Sequence, residues 1–101
     1  MIEKYIATFF SHFGAIRFQR EIRAYGIKGI VKPVPRSLSS SCGTCVEFEI
    51  DMQAREKLSI TDTVISFKDN MIYVNDRHNE IEKVVAVLED GYREVYNSEI
   101  E

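Results

Sequence analysis

Residues 4 to 32 read KYIATFFSHFGAIRFQREIRAYGIKGIVK, and they decide the fold because they hold two different periodicities in succession. KYIATFF (4–10) is a nearly continuous apolar run rich in aromatic and β-favouring residues, the pattern of a central strand covered on both faces. Ser11 is placed to cap a helix whose apolar positions Ala15, Phe18, Ile22 and Tyr25 form one face, while Arg17, Gln19, Arg20 and Glu21 cover much of the rest. Gly26 stops that helix where a left-handed residue is needed. IKGIVK (27–32) then reads as a second strand, ended by Pro33 and Pro35, each of which lacks an N–H and restricts the residue before it. The opening unit is therefore strand, helix, strand.

Downstream, Pro33 to Thr44 is a loop, and CVEFEI (45–50) alternates: Val46, Phe48 and Ile50 point one way, Glu47 and Glu49 the other. By the same period Cys45 falls with the glutamates on the wetter face. DMQAREKLSI (51–60) reads either as a two-turn helix capped by Asp51, the preferred reading, or as an irregular connector. DTVISFKDNMIYVND (62–76) reads as a hairpin in which a two-residue turn at Asp69 and Asn70 sets Phe67 opposite Ile72 and Ile65 opposite Val74. Asp76 then caps a second amphipathic helix, with Ile81, Val84, Val85 and Leu88 as its stripe and an end near Gly91. YREVYNSEIE (92–101) reads as an edge strand that frays. The expected fold is α+β: a two-layer sandwich with a ferredoxin-like βαββ start, an added hairpin and a second helix, both helices packing on one sheet face. One domain over residues 1–97 and a frayed tail at 98–101 account for the chain.

Composition fits that expectation. With 101 residues, 45% of them hydrophobic and 29% charged, the chain suits one soluble core. A formal net charge of -3 argues against general attraction to nucleic acid. Apolar runs such as VVAV fall far short of the roughly 20 residues a membrane span requires, and the N-terminus lacks the basic start and cleavage site of a leader. A cytoplasmic location is expected. In a reducing compartment a structural disulfide is not, so a close cysteine pair points to catalysis, redox chemistry or metal.

That pair lies in PVPRSLSSSCGTC (33–45) and comprises both cysteines of the chain. A thiol reacts as its thiolate. Ser39, Ser40 and Ser41 offer hydroxyl donors for an anionic sulfur, Gly43 lets consecutive N–H groups converge, and Arg36 and Lys32 bring positive charge. Cys42-Gly-Thr-Cys45 has the spacing of redox motifs in which one sulfur attacks and the other resolves. Thioredoxin-type enzymes, however, place that motif at the start of a helix, whereas here a strand follows. The pair supplies half of a zinc site, and His12 and His78 lack ligand spacing, so metal would need a second chain. Phe48 and Asp51 stand where a cysteine phosphatase would need arginine, and no phosphate-binding glycine loop is present. The structural alternative is a solvated serine turn with two cysteines packed at a strand end.

YIATFFS followed by a helix, then VPRSLSSSCG running into CVEFEI, resembles the putative selenium/sulfur carrier protein-like family. The resemblance covers about residues 4–50 and is most specific from Pro35 and Arg36 through Ser39, Ser40, Ser41, Cys42 and Gly43. It implies that Cys42 is the carrier thiol, holding a persulfide or selenopersulfide for an acceptor protein. Gly43 with Ser40 and Ser41 would then stabilise the anionic sulfur, and Arg36 would steer it or dock the partner. Cys45 is less typical of the family, so a resolving role for it rests on this sequence alone. The implied partners are a sulfur or selenium donor, such as a cysteine desulfurase, and an unidentified acceptor. No cofactor, metal, nucleic acid or membrane is expected, and self-association is compatible with the sequence. A carrier fits better than a turnover enzyme. The competing readings are a binding or assembly module that uses the loop for docking or an inter-chain zinc site, and a CxxC thiol-disulfide redox protein.

Overall fold

In the computed structural model the described residues are 2–24, 26–38, 40–51, 65–68, 71–74 and 80–98. In chain order they form β1 (Ile2–Phe9), α1 (His12–Ala24), β2 (Gly29–Pro33), β3 (Thr44–Asp51), β4 (Ile65–Lys68), β5 (Met71–Val74), β6 (Ile81–Leu88) and β7 (Gly91–Asn97). Five strands make one antiparallel sheet in the order β2-β3-β1-β6-β7, and β4 with β5 form a separate hairpin. The molecule is α+β, with a single helix among the described residues.

β1 is central, and Tyr5 through Phe9 are all buried, as a two-sided apolar run requires. The Ser11 hydroxyl accepts the Gly14 N–H at 3.1 Å and caps α1. Ala15, Phe18 and Ile22 of the expected stripe are buried, and Tyr25 lies outside the described residues. The helix closes with a pair of bonds from Gly26 N–H to the Arg23 carbonyl and from Ile27 N–H to the Ile22 carbonyl, both at 3.0 Å. That pairing needs a left-handed residue, which Gly26 provides at φ 80°. Ile22 and Ile27 then meet in the core. Pro33 is the last residue of β2, an edge strand, where a missing N–H breaks no ladder.

The main core fills the space between α1 and one sheet face. Phe18 of the helix packs between Phe9 of β1, at 5.3 Å between ring centroids, and Phe48 of β3, at 5.4 Å. Tyr5 stacks on Phe48 at 5.6 Å. Val46, Phe48 and Ile50 face this core, as their alternation predicts. The opposite face has a smaller apolar cluster of Ile6, Cys45 and Val85, covered by Val34 and Leu38 of the loop after β2.

The second helix is corrected to a strand. Its supposed stripe over Ile81 to Leu88 is β6, which pairs with β1 on one side and β7 on the other. Val84 and Ala86 pack on the helix-side core, while Val85 and Val87 pack on the opposite cluster, so the segment is buried with period two. Leu88, the last residue of the supposed stripe, is 45% exposed. β3 pairs with only one edge of β1, and the β-branched run of β6 satisfies the other. The β4–β5 pairing has the expected register, Phe67 opposite Ile72 and Ile65 opposite Val74. β7 is the expected edge strand. The short helix read over 51–60 and the turn at 69–70 lie outside the described residues, apart from Asp51, which ends β3.

Candidate functional site

The loop between β2 and β3 leaves the edge strand at Pro33, folds over the open face of the sheet and returns at Thr44. Val34 N–H donates to the Gly43 carbonyl at 3.1 Å and closes its base, while Leu38 N–H donates to the Pro35 carbonyl at 3.0 Å and turns its tip. Gly43 adopts φ 74°, a left-handed conformation that lets the chain re-enter the sheet directly after Cys42. Two serines fasten the loop. The Ser40 hydroxyl donates to the Phe9 carbonyl at 3.3 Å. Ser41 donates its hydroxyl to Glu82 Oε2 at 2.5 Å and its N–H to Glu82 Oε1 at 3.3 Å.

The two cysteines are free thiols in different surroundings. Cys42 is half-buried: its sulfur packs against the edge of the main core and donates to the Thr44 carbonyl at 3.5 Å. Cys45 faces away from the main core, as its period requires, but the wetter setting expected for it is corrected. It is 0% exposed, in a cluster with Ile6 and Val85 against which Val34 and Leu38 of the loop and Val87 of β6 pack, and its sulfur donates to the Pro33 carbonyl at 3.7 Å. Burial pushes the Cys45 thiol up, Lys32 partly opposes this, and Glu47 and Cys42 reinforce it. Burial thus favours the protonated thiol at Cys45 over the thiolate that reacts.

The charges expected near the loop are differently occupied. Lys32, the cross-strand partner of Cys45, is paired with Glu47. That hydrogen bond holds the Glu47 carboxyl below the usual glutamate value and the lysine above its own, against the desolvation of each. Lys4 completes the cluster at 3.4 Å from Glu47 and 3.8 Å from Glu49. Arg36 is exposed, Gly43 is exposed, and Ser39 lies outside the described residues. The Ser40 and Ser41 hydroxyls are committed to Phe9 and Glu82 in this conformation.

Glu82 escaped the sequence reading, and His12 entered it without a place beside the loop. Glu82 was hidden because it lay within a segment read as helix, and nothing in its local pattern links it to a serine loop 41 residues earlier. His12 could be placed only at a strand-to-helix turn; folding brings its Nδ1 to 3.3 Å from Thr44 Oγ1, between the two cysteines in sequence. Beside it Phe13 is 79% exposed. A cavity of about 430 Å³ lined by Gln19, Arg23, Gly26, Ile27, Lys28 and Gly29 lies at the other end of α1 and serves neither thiol. Among the described residues, no group of three or more His, Cys, Asp or Glu is gathered to hold a metal. No helix among them is long and apolar enough to cross a membrane.

The site thus defines a small α+β domain presenting one cysteine on a serine-rich loop. The chain belongs to the putative Se/S carrier protein-like family, whose pattern matches residues 4–68. That span takes in the whole loop and continues through β4, further than the run quoted from the sequence. Comparison with curated proteins and with solved structures gives no significant match.

Proposed function

We propose that the protein carries sulfur or selenium as a persulfide or selenopersulfide on Cys42 and passes it to an acceptor protein. The observation that carries this reading is the asymmetry of the two thiols: Cys42 lies half-buried on a surface loop within the family match, while Cys45 is sealed beneath that loop. A carrier thiol must enter a partner's active site, and a loop on a rigid sheet allows that.

Loading needs no oxidant. The Cys42 thiolate attacks the outer sulfur of a donor persulfide, the donor S–S bond breaks, and the donor leaves as a thiolate that takes up the proton lost by Cys42. The sum is R–S–SH plus Cys42–SH giving R–SH plus Cys42–S–SH, and selenium in the outer position follows the same course. Exposed Arg36 supplies charge to steer the anionic cargo or dock a partner, and N–H groups around Gly43 offer it donors. The donor would be an enzyme of the cysteine desulfurase kind, with the acceptor a second protein; the chain itself turns over no substrate. The strand order β2-β3-β1-β6, with its strand-helix-strand opening, supports a ferredoxin-like reading of the first four sheet positions, extended by β7.

Incubation with a cysteine desulfurase and cysteine, read by intact mass, tests the proposal on variants. Cys42→Ser should abolish sulfur gain and Cys45→Ala should retain it. Loading that persists in Cys42→Ser would overturn the assignment.

A further inference from the structure

Glu82 joins two parts of the molecule that the sequence keeps far apart. Its Oε2 accepts the Ser41 hydroxyl at 2.5 Å, and its Oε1 accepts both the Ser41 N–H at 3.3 Å and the Thr8 hydroxyl at 3.4 Å. Thr8 is fully buried on β1, directly across from Cys45 in the sheet register. Ser41 is the residue before Cys42. One carboxylate therefore ties the loop beside the presented thiol to the strand position beside the sealed one. The Glu82 carbonyl also accepts the Ser98 hydroxyl at 3.2 Å, which ties the end of β7 to the same residue. Glu82 lies beyond the residues matched by the family.

We propose that Glu82 is a positioning residue, a latch that acts through Ser41 to hold the loop down over Cys45, so that Cys42 alone is presented. Val34 and Leu38 of the loop pack on the cluster that holds Cys45, and lifting the loop would take that cover away. A buried thiol reacts through local opening, at a rate set by the opening equilibrium. Bonds that hold the loop closed therefore set the selectivity between the two sulfurs.

The consequence for transfer rests on the carrier reading. If Cys45 reached a loaded Cys42, its thiolate would attack the Cys42 sulfur and expel the outer one: Cys42–S–SH plus Cys45–SH gives the Cys42–Cys45 disulfide plus hydrogen sulfide. Electrons and atoms balance, but the cargo is discharged. The latch prevents this premature discharge until the loop is lifted.

Brief alkylation of the native protein with iodoacetamide, followed by peptide mapping, tests the latch without any donor. In the wild type the label should fall on Cys42. Glu82→Ala should raise Cys45 labelling by roughly tenfold and Ser41→Ala by severalfold, as expected for the loss of hydrogen bonds to a charged acceptor. Glu82→Gln, which keeps an acceptor oxygen, should restore part of the selectivity. If the two residues form one latch, the double variant Glu82→Ala with Ser41→Ala should label Cys45 no faster than Glu82→Ala alone. Ser41 is exposed, so its variant tests the latch even if Glu82→Ala folds poorly. Unchanged Cys45 labelling in Ser41→Ala, or effects that multiply in the double variant, would overturn the latch. A protein that keeps this selectivity but takes no sulfur from a donor would leave the latch standing and remove the carrier reading.

Discussion

Cys42 and Cys45 stand three positions apart, yet one is presented and the other sealed, and mutation should separate them. Cys45→Ala removes a fully buried sulfur and should cost about 1–2 kcal/mol of stability by chemical denaturation. Cys42→Ala, at a half-buried loop position, should cost less. The same contrast governs pH dependence. The Cys45 thiol is raised from its ordinary 9.0, so the folded state keeps a proton that the unfolded chain loses. Its contribution is fully present below pH 9.0 and is lost as the pH rises from there through the folded value. Cys45→Ala should flatten that part of the alkaline stability curve. Glu47 has the opposite sign: its carboxyl is held below 4.5, chiefly by the Lys32 hydrogen bond, so its stabilisation is present above pH 4.5 and lost as the pH falls below it. Glu47→Gln should reduce the stability lost below pH 4.5 by no more than about 1 kcal/mol, since this partly solvated pair is screened. At this scale the cysteine spacing and the turn at Gly43 were legible in the sequence, whereas the bonds that commit Ser40 and Ser41 to Phe9 and Glu82 were not. The sealing of Cys45 was not, because the cover comes from Val34 and Leu38 folding back across the sheet, which no period within CVEFEI encodes.

The helix α1 and the strand β6 show where a local pattern is enough and where it fails. α1 carries its own cap, stripe and stop, and each matches the structure at Ser11, at Ala15, Phe18 and Ile22, and at Gly26. β6 satisfies two templates at once. Ile81, Val84, Val85 and Leu88 fit a helical stripe, while Val84 with Ala86 and Val85 with Val87 fit an alternating strand buried on both faces. The free edge of β1 decides between them, and that edge is a property of the sheet. Placing Glu82 beside Ser41 depends on the same decision. Helix docking gives a sharp test. A Cβ added at Gly14 would stand 2.8 Å from the Glu80 Cβ, so α1 or the chain at Glu80 must shift. In an isolated helix Gly→Ala would stabilise by about 1 kcal/mol. Here Gly14→Ala should instead destabilise by about 1–3 kcal/mol, measured as a lowered denaturation midpoint.

Across the whole molecule, β1, α1, β2 and β3 follow their sequence patterns, and they are the elements that frame the loop. The family match begins within β1 and runs past β3, while β6 and β7 complete the sheet beyond it. β6 does more than complete the sheet, because through Glu82 it holds the loop that the first half of the chain supplies. The family was legible from the loop because Cys42 sits in a short, specific run of residues. Its setting needed the assembled sheet, since a loop lying on one face and a strand on the far side of β1 meet only after folding. The measurement that tests the central claim most directly is transfer from a cysteine desulfurase to the reduced wild-type protein, with the added atom mapped by peptide mass. The account predicts one sulfur on Cys42 and none on Cys45; no gain on Cys42, or gain on Cys45 alone, would contradict it.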